Sequence, residues 1–395
     1  MKYIILLADG MADRPIASLG NKTPLEAAHT PNMDMLASLS QVGMVKTLVE
    51  GYPLGSDVGN MTVLGINPND HYTGRAALEA ANMKIEMGTK DVAFRCNLVT
   101  IKDNAMLDYS AGHISTEEAK ILIKLIDKKL GGPDFRFYPG KSYRHIMVTN
   151  SGETTKTIAP HDITGQEIEP NFPQGAKSKI LIELMKNSAF LLEGHEVNTQ
   201  RRALGKNPAN MMWLWGQGKK MTVPSLKETF GISGAVISAV DLVKGIGVYL
   251  GMEVIEVPGA TGYIDTNYEG KADYALKALK KHDFVYLHVE ATDETGHNGD
   301  IKFKIQAIED FDKKIVGRIV EGMKTFKDYK IMVTSDHSTP VEIRTHTAEP
   351  VPFLIYTSTK PVTNSISKHS EKAAMETGVK FENGWELFPY FINNK

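Results

Sequence analysis

A single cysteine in 395 residues excludes an internal disulfide and any zinc site built from thiolates, and it fits a reducing compartment. That residue, Cys96, sits in FRCNLV, where a buried small hydrophobe is the natural reading. Long apolar runs are missing too. The N-terminal MKYIILLADG has only about six apolar residues before Asp9, which reads as a strand and is too short for a signal peptide. No other stretch approaches the ~18 residues that a membrane-spanning helix needs. Nor is there an excess of one charge: 45 Lys and Arg stand against 47 Asp and Glu, with no long block of either sign. This balance leaves no electrostatic footprint for nucleic acid, so an anionic ligand must be met by local cations. No internal repeat or low-complexity tract is visible. The expectation is a cytoplasmic protein with neither a membrane nor a nucleic-acid partner; nothing in the sequence sets its oligomeric state.

The chain is longer than one hydrophobic core usually supports, so two domains are expected. Three short apolar runs, at 3–8, 284–289 and 330–334, end abruptly in polar residues: Asp9, then Glu290 and Asp293, then Asp336 and His337. Continuous apolar strands alternating with helical patterns, such as 274–281 and 305–323, predict an α/β fold whose mainly parallel sheet is covered by helices on both faces. In such sheets ligands bind beyond the carboxyl ends of the strands, so the three strands deliver their acids to one edge. Between about 90 and 225 the character changes to strand-like FRCNLVTI, FRFYP and RHIMVT with helical patterns at 116–130 and 177–193. The reading is a smaller α+β domain at 90–225, inserted into a discontinuous domain of 1–89 and 226–395.

The chemistry concentrates in Asp293-x-x-x-His297, in the adjacent pair Asp336-His337 and in His346, nine residues beyond His337. Each alone has a bland reading as a turn, a helix cap or a surface histidine. Their shared placement at strand ends is what points to metal. Carboxylate oxygen with imidazole nitrogen suits Mn²⁺ first, then Zn²⁺, Co²⁺ or Mg²⁺, and not copper or iron–sulfur chemistry that needs thiolates. With Asp9 the donors exceed what one tetrahedral ion takes, which implies two ions; such pairs clamp the attacking and leaving oxygens of a phosphoryl displacement. In GYPLGSDVGNMTVLG, Ser56 stands at the start of a helical pattern. A helix-capping role and a nucleophilic role are compatible there, because a helix N-terminus also stabilises an anion and a bound metal would activate the hydroxyl.

Taken together, LLADGMADRP, GSDVGNMTVLG, TGRAALEA, DYSAGHIST, SYRHIMV, PHDITG, NPANMMWLWGQG, SAVDLVKGIGVYLGMEV, VPGATGYIDTNYEGKA, HVEATDETGHNGD and TSDHSTP resemble the archaeal-type cofactor-independent phosphoglycerate mutases, of the alkaline phosphatase superfamily. The resemblance covers almost the whole chain. It implies an enzyme of glycolysis and gluconeogenesis that acts on phosphoglycerate without 2,3-bisphosphoglycerate. It further implies one ion surrounded by Asp9, Ser56, Asp336 and His337, with Ser56 also the nucleophile that becomes phosphoserine, and a second ion surrounded by Asp293, His297 and His346. The inserted domain would grip the substrate and close over the metals, with His113, Arg144, His161, Asp162, Arg201 and Lys244 as candidate contacts. The sequence departs from the family at Gly59, where Ala is usual, and at Ile66-Asn67, where Tyr-Asp is usual.

Homoserine kinase, the proposed activity of a closely similar branch, is the alternative, because the metal motifs and nucleophile would be the same. Another phosphotransferase of the superfamily would lack the full run of motifs, and a sulfatase would need a C/S-x-P-x-R segment that is not present. A non-catalytic metal-binding protein is disfavoured by the intact Ser56.

Overall fold

A computed structural model of the chain describes residues 1–150, 152 and 154–394. The strands, in chain order, are β1 (Lys2–Ala8), β2 (Gln41–Val45), β3 (Val92–Lys102), β4 (Ala105–Asp108), β5 (Phe135–Tyr138), β6 (Arg144–Thr149), β7 (Met211–Lys219), β8 (Gly234–Ile237), β9 (Glu253–Val254), β10 (Phe284–Val289), β11 (Tyr329–Thr334), β12 (Val351–Thr357) and β13 (Lys380–Phe381). The chain divides into two compact units, one of residues 1–72 with 222–395 and one of 73–221.

The first unit is built on an eight-stranded sheet of order β13-β2-β12-β11-β1-β10-β8-β9. Its centre, β11-β1-β10-β8, is parallel, and β12 runs antiparallel between β11 and β2. Register aligns Ala8 with Val289 and Leu7 with Thr334, so the residues that follow β1, β10 and β11 emerge at one edge. The alternation of strand side chains divides β10 cleanly. Val285, Leu287 and Val289 join a core with Ile4, Leu6, Ile331, Val333 and the helices Pro31–Ser38 and Tyr268–Leu279. Phe284 and Tyr286 face the other way, meeting Phe388 at 5.2 Å and Asn60 through the Tyr286 hydroxyl at 2.6 Å. The same alternation puts His288 on that second face, and a one-residue slip would turn it into the wrong core. The helical pattern at 305–323 is interrupted by a π-helical turn, Phe311–Val316, between Ile301–Asp310 and Gly317–Met323. There the buried Asp312 carboxylate accepts from Asn32 N and Met33 N at 3.2 and 2.7 Å, capping the helix Pro31–Ser38, whose own Thr30 makes no side-chain cap.

The second unit has an antiparallel sheet of order β4-β3-β6-β5, with β7 also paired to β3. The helices Thr116–Leu130 and Ser178–Glu193 pack with it over a core that includes Phe94, Leu98, Met147, Met185 and Trp213. Cys96 lies in this core, and burial pushes its thiol up to about 12. The unit starts at 73, earlier than the 90 expected from pattern, and ends at 221 where 225 was expected. The reason is the helix Arg75–Asn82, whose Ala76, Ala77 and Ala80 form a small core with Ala93, Ile146 and Val148 of β3 and β6. Its small side chains let it pack closely on the sheet, and local pattern does not say which core so short a helix joins. Among the described residues no helix is long and apolar enough to cross a membrane.

Candidate active site

In the first unit the strand-end residues converge as their placement predicts. Asp9 follows β1, Asp336 and His337 follow β11, and all three are at most 2 % exposed. Gly10 has φ +58°, and a Cβ there would come within 2.5 Å of both Asp293 Oδ1 and Thr339 Oγ1, so the sharp turn after Asp9 requires glycine. Gly10 N donates to Asp336 Oδ1 (3.1 Å) and Asn60 Nδ2 to Asp336 Oδ2 (2.7 Å). A buried ion pair, Lys304 Nζ to Asp13 Oδ2 at 2.9 Å, ties the loop after β1 to the loop after β11, because Lys304 also donates to Thr339 O and Asp13 accepts from Val341 N.

Ser56 is the first residue of the helix Ser56–Val63, and Gly55 stands at the cap position. Its hydroxyl makes no cap bond. It lies 3.1 Å from His337 Nε2 and 3.4 Å from Asp9 Oδ2. Gly59, one turn along, lies close against the loop after β11: a Cβ there would sit 2.6 Å from the Asp336 carbonyl oxygen, so an alanine would require the helix or the loop to shift. The Gly59 departure therefore belongs to a close helix–loop contact at the site itself.

Asp293 and His297 lie one turn apart on the helix Ala291–His297, with Asp293 Oδ2 3.3 Å from His297 Nε2 and Asp293 Oδ1 3.5 Å from His346 Nε2. Both imidazoles are oriented from behind: His297 Nδ1–H donates to Arg344 O (3.0 Å) and His346 Nδ1–H to Leu54 O (2.8 Å). Their Nε2 atoms then face each other at 2.9 Å beside a carboxylate, an arrangement that needs a proton or a cation between them. The hydrogen bond to Asp293 raises His297 to about 9 despite its burial.

Burial, reinforced by Asp336, Asp293 and Glu290, drives the Asp9 carboxyl well above the ordinary range, and Asp9 Oδ1 is buried without a hydrogen-bond partner. Crowded buried carboxylates, an orphaned carboxylate oxygen and paired Nε2 atoms are what divalent cations relieve, so the residues fit the ions that the sequence implies. Asp293, His337 and His346 form one group with ligand atoms mutually within 4.8 Å, and Asp9, His288 and Asp336 form another. His288 is new relative to the sequence reading. The signal for it was a polar residue inside the apolar run FVYLHV.

Four of the substrate candidates cluster in the second unit. His113 meets Tyr143 edge-on at 6.1 Å, Arg144 lies over the same ring at 5.4 Å, and His161 contacts Tyr109 and Trp215 at 6.0 and 5.3 Å. Asp162 is exposed, 3.7 Å from His161 Nε2. His113 adopts φ +47°, a left-handed conformation uncommon outside glycine and typical of sites where position matters more than comfort. Arg201 does not join them. Its guanidinium is 2 % exposed and bonded to Asn207 O, Glu118 and Ala111 O, so it braces the turn that carries His113. Lys244 lies in the first unit, paired with Glu256 at 2.7 Å; its charge helps lower Lys271, which donates to His288 O and is brought to about 8, chiefly by burial.

The sequence reading also passed over Arg75 and Arg95. Both donate from Nε to the single carboxylate of Glu79, at 3.4 and 3.1 Å, and Arg95 stacks 4.0 Å over Trp215. Burial and the neighbouring Arg75 and Arg144 lower Arg95 to about 10, whereas the three guanidiniums hold Glu79 below its usual range against its burial. Three cations thus act on the Glu79 carboxylate. A charged residue inside the buried strand VAFRCNLVT was the available signal.

The 2,3-bisphosphoglycerate-independent phosphoglycerate mutase family profile matches residues 37–198. A curated member of that name from Methanosarcina barkeri is 49 % identical over 398 aligned residues covering all of both chains. Among solved structures, a Pyrococcus horikoshii protein superposes with TM-score 0.84 at 31 % identity, covering 100 % of this chain and 98 % of its own. A cofactor-independent phosphoglycerate mutase from Thermoplasma acidophilum does so with TM-score 0.66 at 26 % identity over the full length of both. With half its residues shared from end to end, the chain belongs to the 2,3-bisphosphoglycerate-independent phosphoglycerate mutase family.

Proposed function

We propose that this chain interconverts 3-phosphoglycerate and 2-phosphoglycerate through a phosphoserine at Ser56, with no added 2,3-bisphosphoglycerate. The observation that carries the proposal is a serine hydroxyl at the start of a helix, released from capping and placed 3.1 Å from His337 Nε2 and 3.4 Å from Asp9. Asp9, Ser56, Asp336 and His337 would hold one cation and Asp293, His297 and His346 the other, with Mn²⁺ suited to this oxygen and nitrogen set. Bound there, two divalent cations supply a lowered serine pKa and draw charge from the phosphoryl oxygens.

In the first half-reaction, Ser56 Oγ forms a bond to phosphorus as the bond from phosphorus to the glycerate 3-oxygen breaks. The serine loses its proton and the glycerate oxygen gains one. In the second half, the 2-oxygen takes the phosphoryl group back, so the sum is an isomerisation that consumes no water. The helix Ser56–Val63 directs its first-turn amides and positive dipole end toward the phosphoserine. In the second unit, Arg75, Arg95 and Arg144 would offer guanidinium forks to the anionic groups of phosphoglycerate, and His113 with Asp162 would handle its hydroxyl protons. The single buried thiol accords with a cytoplasmic setting.

The test is a coupled assay of Mn²⁺-loaded protein with 3-phosphoglycerate, alongside capture of radiolabelled phosphate on the protein. Steady formation of 2-phosphoglycerate with label on Ser56 is expected. Absence of turnover from protein shown to hold its metal would overturn the reading.

A further inference from the structure

We propose that His288 is a positioning residue that fixes the Asp9 carboxylate for cation binding, through a hydrogen-bond relay anchored on the backbone of Val240; the inference rests on the metal-centre reading above. His288 is fully buried on the face of β10 that leads to Asp9. Its Nε2 lies 3.0 Å from Asp9 Oδ2, and its Nδ1 lies 3.2 Å from Ser238 Oγ. Ser238 directly follows β8, which pairs with β10 in the register Ile237 to Leu287. Its hydroxyl oxygen already accepts from Val240 N at 2.9 Å.

With Asp9 ionised, as a cation ligand is, these contacts set the direction of every proton. Were Nδ1 protonated and Nε2 bare, the Nε2 lone pair would face a carboxylate oxygen at hydrogen-bond distance, which is repulsive. The arrangement that satisfies all partners has Val240 N–H donating to Ser238 Oγ, Ser238 Oγ–H donating to His288 Nδ1, and His288 Nε2–H donating to Asp9 Oδ2. Both ring nitrogens are then committed. His288 therefore has no lone pair for a metal, although it lies within 4.8 Å of Asp9 and Asp336 ligand atoms.

The consequence falls on Asp9. With Oδ2 held, the carboxylate cannot rotate freely, and the oxygen left without a partner is Oδ1. A neutral donor suits this task better than Lys or Arg, whose charge would compete with the cation. The Asp336 carboxylate is held in a comparable way, by Gly10 N and Asn60 Nδ2. Partners of this kind behind a ligand typically change metal affinity by about 10–100-fold.

The experiment titrates Mn²⁺ into EDTA-stripped protein by calorimetry, with folding of each metal-free variant checked by circular dichroism. Wild type is expected to bind two equivalents. H288A should keep both, one of them weakened by about 10–100-fold. H288Q, whose side-chain amide N–H replaces the imidazole Nε2–H, should recover to within about threefold of wild type. S238A, which removes only a hydroxyl and so guards against a misfolded H288A, should weaken the same equivalent by a few-fold. The inference is overturned if H288A and S238A bind as wild type does. It is equally overturned if H288Q loses one equivalent altogether, which would make His288 a ligand. Failure of wild type to bind Mn²⁺ would instead sink the metal-centre reading on which it stands.

Discussion

The two units handle charge in mirror image. The first crowds buried carboxylates together, so that Asp9 is pushed well above the ordinary carboxylate range by burial and by its acidic neighbours. The second crowds guanidiniums, so that Arg95 falls to about 10 while the one shared acid, Glu79, is held low. A site at odds with its own charge is one that awaits the opposite charge. On the function proposed above, the first would receive cations and the second an anion, although the whole chain is nearly neutral.

The contrast would be broken most severely by Ser56→Ala. Losing the covalent carrier should lower kcat by a factor of roughly 10⁴ or more, while calorimetry still shows phosphoglycerate binding and the cation assigned to Asp293, His297 and His346, the other cation being weakened by loss of the Ser56 ligand. Activity above about a tenth of wild type would show that Ser56 is not the carrier, since a cap alone is worth only ~1 kcal/mol.

Next in size is Arg95→Met, which strands the Glu79 carboxylate in the interior of the second unit. Chemical denaturation should report a loss of about 3–5 kcal/mol, largely restored in the double variant with Glu79→Gln. Equal stabilities for the single and double variants would mean that Glu79 is neutralised by Arg75 alone.

Glu371 offers a control in the first unit that belongs to neither cluster. Burial, against hydrogen bonds from Thr23 Oγ1 and Asp13 N, raises its carboxyl from 4.5 to about 7. Because the folded value lies above the unfolded one, its stabilising contribution is fully present below about pH 4.5 and is lost as pH rises through about 7, on the order of 3 kcal/mol at most. Calorimetric melting from pH 4.5 to 8 should show Glu371→Gln with a shallower decline than wild type. Parallel pH profiles would contradict this assignment.

The smallest effect expected is that of Arg144→Ala. This guanidinium is exposed, so its removal should leave stability unchanged and raise KM for phosphoglycerate by about tenfold, the weight of one charge-assisted contact. Poorer retention of glycerate should also increase free phosphate released per 2-phosphoglycerate formed. An unchanged KM and an unchanged ratio would remove Arg144 from the anion site.

How far each region was legible before folding follows from how local its signals are. Much of the proposed metal centre was readable because Asp9 stands directly after β1 and Asp336 and His337 just after β11, and parallel strands share one carboxyl edge; Asp293, His297 and His346 lie farther from their strands and were legible only from residue type and spacing. The helices Thr116–Leu130 and Ser178–Glu193 were legible from their apolar spacing. The start of the second unit at 73 was not, since the amphipathic helix Arg75–Asn82 is short and nothing in its own pattern says which of the two cores its alanine face joins. Arg201 looked like a ligand contact from its motif, but only the fold shows its guanidinium closing on Glu118, Asn207 and Ala111.

The run of motifs in the chain was enough for a resemblance to the family, and residue type with periods of two and 3.6 for the α/β class and the chemical identity of the donors. Tertiary structure alone decided which donors are held from behind and by what. The links from Ser238 through His288 to Asp9, and the bond from Arg95 to the Glu79 that Arg75 meets one helical turn away, join different elements of the fold, and local pattern carries no information about the orientation of a side chain against a partner on another element.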